Sequence, residues 1–284
     1  MMKFFYFLLL LIPTLVSAQS SVWKVSKGNQ HLFIGGTIHI LGKNDYPLPP
    51  AYDRAYKQSK TLVFETDVEK ANDPAFMQKL INHFAYQQGK TLRSGLKGST
   101  FTTLKEYCQS SGIPISMLLP YKPQFASLML TSMELQKLGI NLAGVDDHYN
   151  RRALKDGKTV RELETIEEQL QFLANMGSGQ EDELILSTIK ENQQLEELMQ
   201  LMLGAWRNGD MDTLDKEIVQ PMKEEFPSTY QGLLVKRNNN WLPYIKAYLR
   251  SPDIEFILVG ALHLAGKDGL ITKFKNAGYS VTQL

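Results

Sequence analysis

The chain has 284 residues, of which 43% are hydrophobic and 21% charged, a composition that excludes a disordered or collagen-like protein. Lys and Arg number 31 and Asp and Glu 30, so a formal net charge of +1 gives no electrostatic footprint for nucleic acid or an anionic membrane. A single cysteine, Cys108, excludes an internal disulfide framework and a cysteine-rich metal site.

Residues 1–18 open with Lys3, continue as an apolar run from Phe4 to Leu11, are broken by Pro13 and end in Val16-Ser17-Ala18. This is the pattern of a signal peptide cleaved near Ala18, which implies a periplasmic or secreted protein without a membrane span after cleavage. The mature chain, 19–284, reads as one domain. Val22 to Val25 and His31 to Ile34 form a predicted hairpin around Gly28-Asn29. A Pro-rich loop at 46–50 leads to a short helix over 51–59, then an apolar strand, Thr61-Leu62-Val63-Phe64, that ends at Glu65.

Helical spacing follows over 74–87, 100–111 and 122–138. Residues 141–145 read as a strand leading to Asp146, residues 148–155 as a helix and 159–163 as a brief strand. Helices are predicted over 165–176, 181–204, 211–225 and 228–249, with Pro243 at a kink. The apolar strand Ile254 to Val259, a helix through 275 and a strand over 279–283 complete the chain. The expected architecture is α+β, or α/β layered: a central mixed sheet built from both ends of the chain, with a large helical insert at roughly 75–250. The insert is open to use as a lid or as a homodimer surface.

The ends of the chain echo each other. Gly36-Thr37-Ile38-His39 and Gly260-Ala261-Leu262-His263 each follow an apolar strand. In layered α/β folds ligands gather at the carboxyl ends of strands, and glycine three residues before each histidine permits close backbone approach. Glu65 has the same setting, and burying an unpaired carboxylate is costly. Two imidazoles and a carboxylate from three strand ends make a facial set for a divalent metal. Asp67 would face the same side if the strand continued. Asp146 reads first as a helix N-cap. Arg237 could clamp a carboxylate or an oxyanion beside Asn238 and Trp241, although the segment otherwise reads as a solvated helical face. Glu162 and Glu164 are either orienting or exposed acids. His148 is a further candidate, and Cys108 reads as a packing residue. There is no Gly-x-Ser-x-Gly elbow, phosphate-binding loop, dinucleotide fingerprint or His-Glu-x-x-His helix.

Taken in order, Phe33-Ile34-Gly35-Gly36-Thr37-Ile38-His39, Leu62-Val63-Phe64-Glu65-Thr66-Asp67, Gly144-Val145-Asp146, Leu163 to Leu170, Arg237-Asn238 with Trp241, and Val259 to Leu264 resemble the TraB/PrgY/GumN family, in its bacterial GumN-like branch related to the Tiki metalloproteases. The chain departs from the Tiki-like pattern at Lys236, where those members tend to carry an acid. The resemblance implies a ChaN/erythromycin-esterase-like fold. It also implies a metal-dependent, peptidase-like hydrolase with catalytic His39, Glu65, Arg237 and His263, and a divalent ion (Mn, Co or Zn) at His39, Glu65 and His263. Asp67, Asp146 and Asn238 are secondary candidates. The expected partner is a peptide or small-molecule substrate, bound either for turnover, with or without a metal, or for capture alone, as a peptide, haem or other small ligand would be.

Overall fold

The computed structural model describes residues 19–71 and 73–284. The expected leader therefore lies outside the described residues. Strand β1 (Val22–Lys27) and strand β2 (Gln30–Thr37) form the predicted hairpin, with Gly28 at φ +60° in its turn. They are followed by β3 (Ile40–Gly42), β4 (Thr61–Phe64), β5 (Ile140–Ala143), β6 (Thr159–Glu162), β7 (Glu255–Gly260) and β8 (Ser280–Gln283).

Six of these strands form one mixed sheet in the order β6-β4-β7-β2-β1-β8. Strands β6, β4, β7 and β2 run parallel, and the β1 and β8 side is antiparallel. β7, late in the chain, inserts between β2 and β4, so both ends of the sequence meet in the centre of the sheet. Strands β3 and β5 pair with each other in a separate two-stranded ribbon.

The inner parallel strands β4, β7 and β2 are buried on both faces, which explains their apolar runs, whereas the edge strand β6 is largely exposed. Strand alternation divides them. Phe33, Leu62, Phe64, Phe256 and Leu258 pack on one face with Tyr52, Tyr149 and Trp206, whereas Leu32, Ile34, Val63, Ile257 and Val259 pack on the other with Trp241, Ile245 and Phe274. Helices Pro50–Gln58, Val145–Lys155 and Leu195–Asn208 cover the first face, and Arg237–Tyr248 and Leu270–Asn276 the second. The helices between β4 and β5 share a further core with Glu181–Gln193, built on Leu92, Leu104, Cys108, Leu130 and Ile185. Cys108 is buried there, and burial pushes its thiol up to about 11.

The expected helix over 181–204 is two helices, Glu181–Gln193 and Leu195–Asn208, parted at Gln194. The predicted helix over 228–249 begins at Pro227 and carries a π turn, Gln231–Lys236, directly before Arg237. A π turn rotates the residues beyond it about the helix axis and often marks a functional position. Here it delivers Arg237 and Asn238 to the interior, 5% and 1% exposed, rather than to the solvated face read from their sequence.

Candidate active site

Each of the four parallel strands contributes a polar residue just past its carboxyl end. In sheet order these are Glu164 after β6, Glu65 after β4, His263 after β7 and His39 after β2. Gly260, the last residue of β7, lies among them. A Cβ built on it would sit 3.3 Å from Glu65 Oε1, 3.6 Å from His263 Cδ2 and 3.7 Å from His39 Nε2. The absence of a side chain there lets an acid and two imidazoles converge on one spot.

Asp146 sets His39. The helix it belongs to starts at Val145 with Gly144 as N-cap, so Asp146 is not the cap expected from the sequence. Gly144 packs directly on the His39 backbone, where a Cβ would stand 2.3 Å from the His39 carbonyl carbon, and Val145 N donates to Ile38 O at 3.0 Å. This close approach brings Asp146 Oδ2 to 2.8 Å from His39 Nδ1. The Asp146 carboxylate, helped at longer range by Glu65, raises His39 to about 9 against the opposing cost of its surroundings. His39 is thus an imidazolium at neutral pH, with Nδ1–H on Asp146 and Nε2–H facing the site. Its side chain is 64% exposed, so a substrate can reach it.

His263 has the opposite environment and is 4% exposed. Asn238 Nδ2 donates to two carbonyls, His263 O at 3.1 Å and Asp268 O at 2.9 Å. Its Oδ1 therefore faces His263 Nδ1, 2.7 Å away, and that nitrogen must carry the proton. The lone pair on Nε2 accepts from Arg237 Nη1 at 3.1 Å. Burial first, then the Arg237 charge, lowers His263 to about 3, so it is neutral.

Arg237 ties the elements together. Nε and Nη2 donate to Glu164, Nη2 also donates to Glu65 Oε2 at 2.6 Å, and Nη1 donates to His263 and to Leu233 O at 3.4 Å. The guanidinium stands 4.6 Å over the Trp241 ring, and Trp241 Nε1 donates to Glu164 at 3.0 Å. Every N–H of Arg237 is engaged, so here it is a cross-brace rather than the expected oxyanion clamp. Burial pushes Glu65 up, but Arg237, the two histidines and the Gly260 N–H, 2.6 Å from Oε1, outweigh it and hold the carboxyl well below its usual range. Burial dominates at Glu164, whose pKa is raised.

Thus His39, Glu65, Arg237, His263, Asn238 and Asp146 come together, with Glu164 as the orienting acid that the sequence left open. Asp67 turns away: its carboxylate accepts from Lys70 N at 3.0 Å and pairs with Lys70 Nζ at 3.1 Å, starting the short helix Val68–Ala71. His148 packs against Tyr46 and Tyr149 instead. Glu162 is exposed on β6.

Two imidazoles and a carboxylate match a divalent-metal donor set in kind, but not in arrangement. The His263 Nε2 lone pair and Glu65 Oε2 both face a permanent cation, and among the described residues no group of three or more His, Cys, Asp or Glu side chains is placed to hold a metal ion. As arranged, these residues do not fit the expected ion.

Three cavities meet at His39. One of about 380 Å³ passes Glu65, Thr66, Gln169 and Asp147; one of about 250 Å³ passes Glu65, Gly260 and His263; a third of about 620 Å³ follows β5. The apolar residues around the second, Met202, Met222 and Leu233 among them, carry no sequence signal, because they resemble ordinary core positions.

Comparison with known proteins finds the uncharacterized protein YbaP of Escherichia coli strain K12, 26% identical over 245 residues, which are 86% of this chain and 87% of that protein. YbaP of Shigella flexneri matches to the same extent. No solved structure matches. The family model for the TraB/PrgY/gumN family matches residues 21–283, a span that takes in all four strand ends and every residue converging on Gly260; the chain belongs to that family.

Proposed function

We propose that the protein is a hydrolase of an acyl bond, in a peptide or a small ester or amide, working with its own side chains. The observation that carries this reading is the meeting of His39 Nε2, Glu65 Oε1 and His263 around Gly260, at the mouth of cavities on the carboxyl side of a parallel sheet. Two titratable groups pushed apart in pKa by their surroundings supply an acid, His39, and a fixed anion, Glu65, that orients the attacking water. His39 enters protonated and Glu65 ionised. Water held on the ionised Glu65 carboxylate attacks the acyl carbon while His39 Nε2 gives its proton to the leaving group; the proton lost by the attacking water passes to solvent, and solvent returns one to His39. Asp146 orients the acid. Arg237, Asn238 and Glu164 hold Glu65 and His263 in register.

The leader pattern assigns this activity to the periplasm or the cell exterior. No helix among the described residues is long and apolar enough to cross a membrane. The layered sheet with its helical insert is read as ChaN/erythromycin-esterase-like.

The test is turnover of a peptide library and of 4-nitrophenyl esters in the presence of a chelator, followed by mass spectrometry and absorbance. The wild type cleaves, and His39→Ala is slower by about 10²- to 10⁴-fold, the usual worth of a positioned acid. His39→Ala also loses the ion pair with Asp146, so circular dichroism must show the variant folded at the assay temperature. Undiminished turnover by His39→Ala refutes the reading. Activity that requires an added divalent ion refutes its metal-free form.

A further inference from the structure

The 250 Å³ cavity is bounded by two kinds of group. Glu65, Gly260, His39 and His263 form its reactive side. Ile38, Met202, Met222, Leu233, Leu234 and Leu262 form its apolar wall, and Thr37, Ala261 and Arg237 complete the lining. Met202, Met222, Leu233 and Leu262 are only half-buried, so apolar surface remains open to water directly beside buried charges. The space exceeds the roughly 150 Å³ of an apolar cavity able to take up benzene, enough for a branched alkyl group or an aromatic ring. The two methionines lie on helices Leu195–Asn208 and Gln220–Glu225, and Leu233 lies on the π turn before Arg237. Unbranched thioether side chains adapt to the outline of the group they enclose.

Thr37 is a second and independent sign. It ends β2, lines the same cavity and is 1% exposed, yet its hydroxyl has no hydrogen-bond partner. An unpaired buried hydroxyl costs about 1–3 kcal/mol, so it is a group awaiting an acceptor or donor. Leu233 also borders the 380 Å³ cavity, where Thr66, 8% exposed, has another hydroxyl without a partner. Leu233 and His39 line both cavities, so the two adjoin at the reactive groups.

We infer that the cavity walled by Met202, Met222, Leu233 and Leu234 is the specificity subsite for an apolar alkyl or aryl group next to the bond that is cut, with Thr37 available to a polar atom of the same ligand. This rests on the hydrolase reading for its place in a reaction, but not for its binding. Hydrolysis of such an acyl group leaves its carboxylate beside the His39 imidazolium, so a straight-chain alkanoate is a minimal product.

The experiment uses the mature protein labelled with ¹³C at the methionine methyl groups and titrated with acetate, butanoate and hexanoate. The signals of Met202 and Met222, assigned by Met→Leu variants, shift with butanoate and hexanoate. Affinity rises about fourfold per added methylene, the value of burying one CH₂. Met222→Trp fills the cavity and abolishes the dependence on chain length. Met202→Phe serves as the second filling variant and should do the same. Length-independent affinity in the wild type, or length dependence that survives both filling variants, overturns the subsite. Length-dependent binding without turnover of any acyl substrate counts against the hydrolase and keeps the subsite; turnover with length-independent binding does the reverse.

Discussion

Replacing Arg237 by Met keeps most of the side-chain volume and removes the charge. In the wild type one guanidinium serves two carboxylates, Glu65 and Glu164, which with it are between 5% and 8% exposed. Without it, Glu65 keeps the Gly260 N–H, a long bond from Gln169 Nε2 at 3.5 Å and the more distant His39 imidazolium, whereas Glu164 keeps Trp241 Nε1 and loses its counter-charge. Removing one partner of a buried pair costs about 3–5 kcal/mol. For a domain of this size that corresponds to a fall in melting temperature of about 10 °C. Thermal unfolding by circular dichroism at pH 7 reads it. Glu164→Gln is destabilising alone, yet on the Arg237→Met background it recovers part of the loss, because it removes a stranded charge. The double-mutant coupling should be about 1–3 kcal/mol. An Arg237→Met melting temperature equal to that of the wild type, or strictly additive effects, would refute the cross-brace.

Other consequences are simpler. Asn238→Ala removes the acceptor that fixes the His263 tautomer and the donor to two carbonyls, so it should lower kcat with little change in KM. Imidazole ¹⁵N shifts should show the Nδ1–H form of His263 lost. Glu65 has a depressed pKa, so the stability it contributes is present above its unfolded value of about 4.3 and is lost as pH falls through the lower folded value. Glu65→Gln should therefore be less stable than the wild type at pH 7, and the gap should narrow on acidification. A constant gap from pH 7 to pH 2 would contradict the ionised assignment.

Much of this site is legible in the sequence because a polar residue at the end of an apolar run is hard to reconcile with packing alone. His39, Glu65 and His263 stand out on that ground, and so does the meeting of the two chain ends. The signal fails where the informative event is tertiary. Asp146 obeys helix-capping statistics, and its approach to His39 depends on Gly144 lying against the chain after β2. Strand β5 is visible, but its partner β3 has three residues, too few to carry a pattern. Arg237 looks solvated because an ideal 3.6-residue period does not include the π turn before it. Glu164 stands two residues beyond β6 and is distinguished from exposed Glu162 only by the strand end between them. Met202, Met222 and Leu233 are indistinguishable from core residues until the space between them is seen.

The proposed chemistry depends above all on Asp146 making His39 a protonated acid at the strand ends. The decisive experiment is the pH dependence of kcat/KM for wild type and Asp146→Asn, with His39 titrated in parallel by NMR. Wild-type activity should fall as pH rises through about 9, together with the loss of the His39 proton. In Asp146→Asn both transitions should move together toward the ordinary histidine value of 6.5. A wild-type His39 that titrates near 6.5, or a basic limb that stays where it is in Asp146→Asn, would remove the acid from the mechanism.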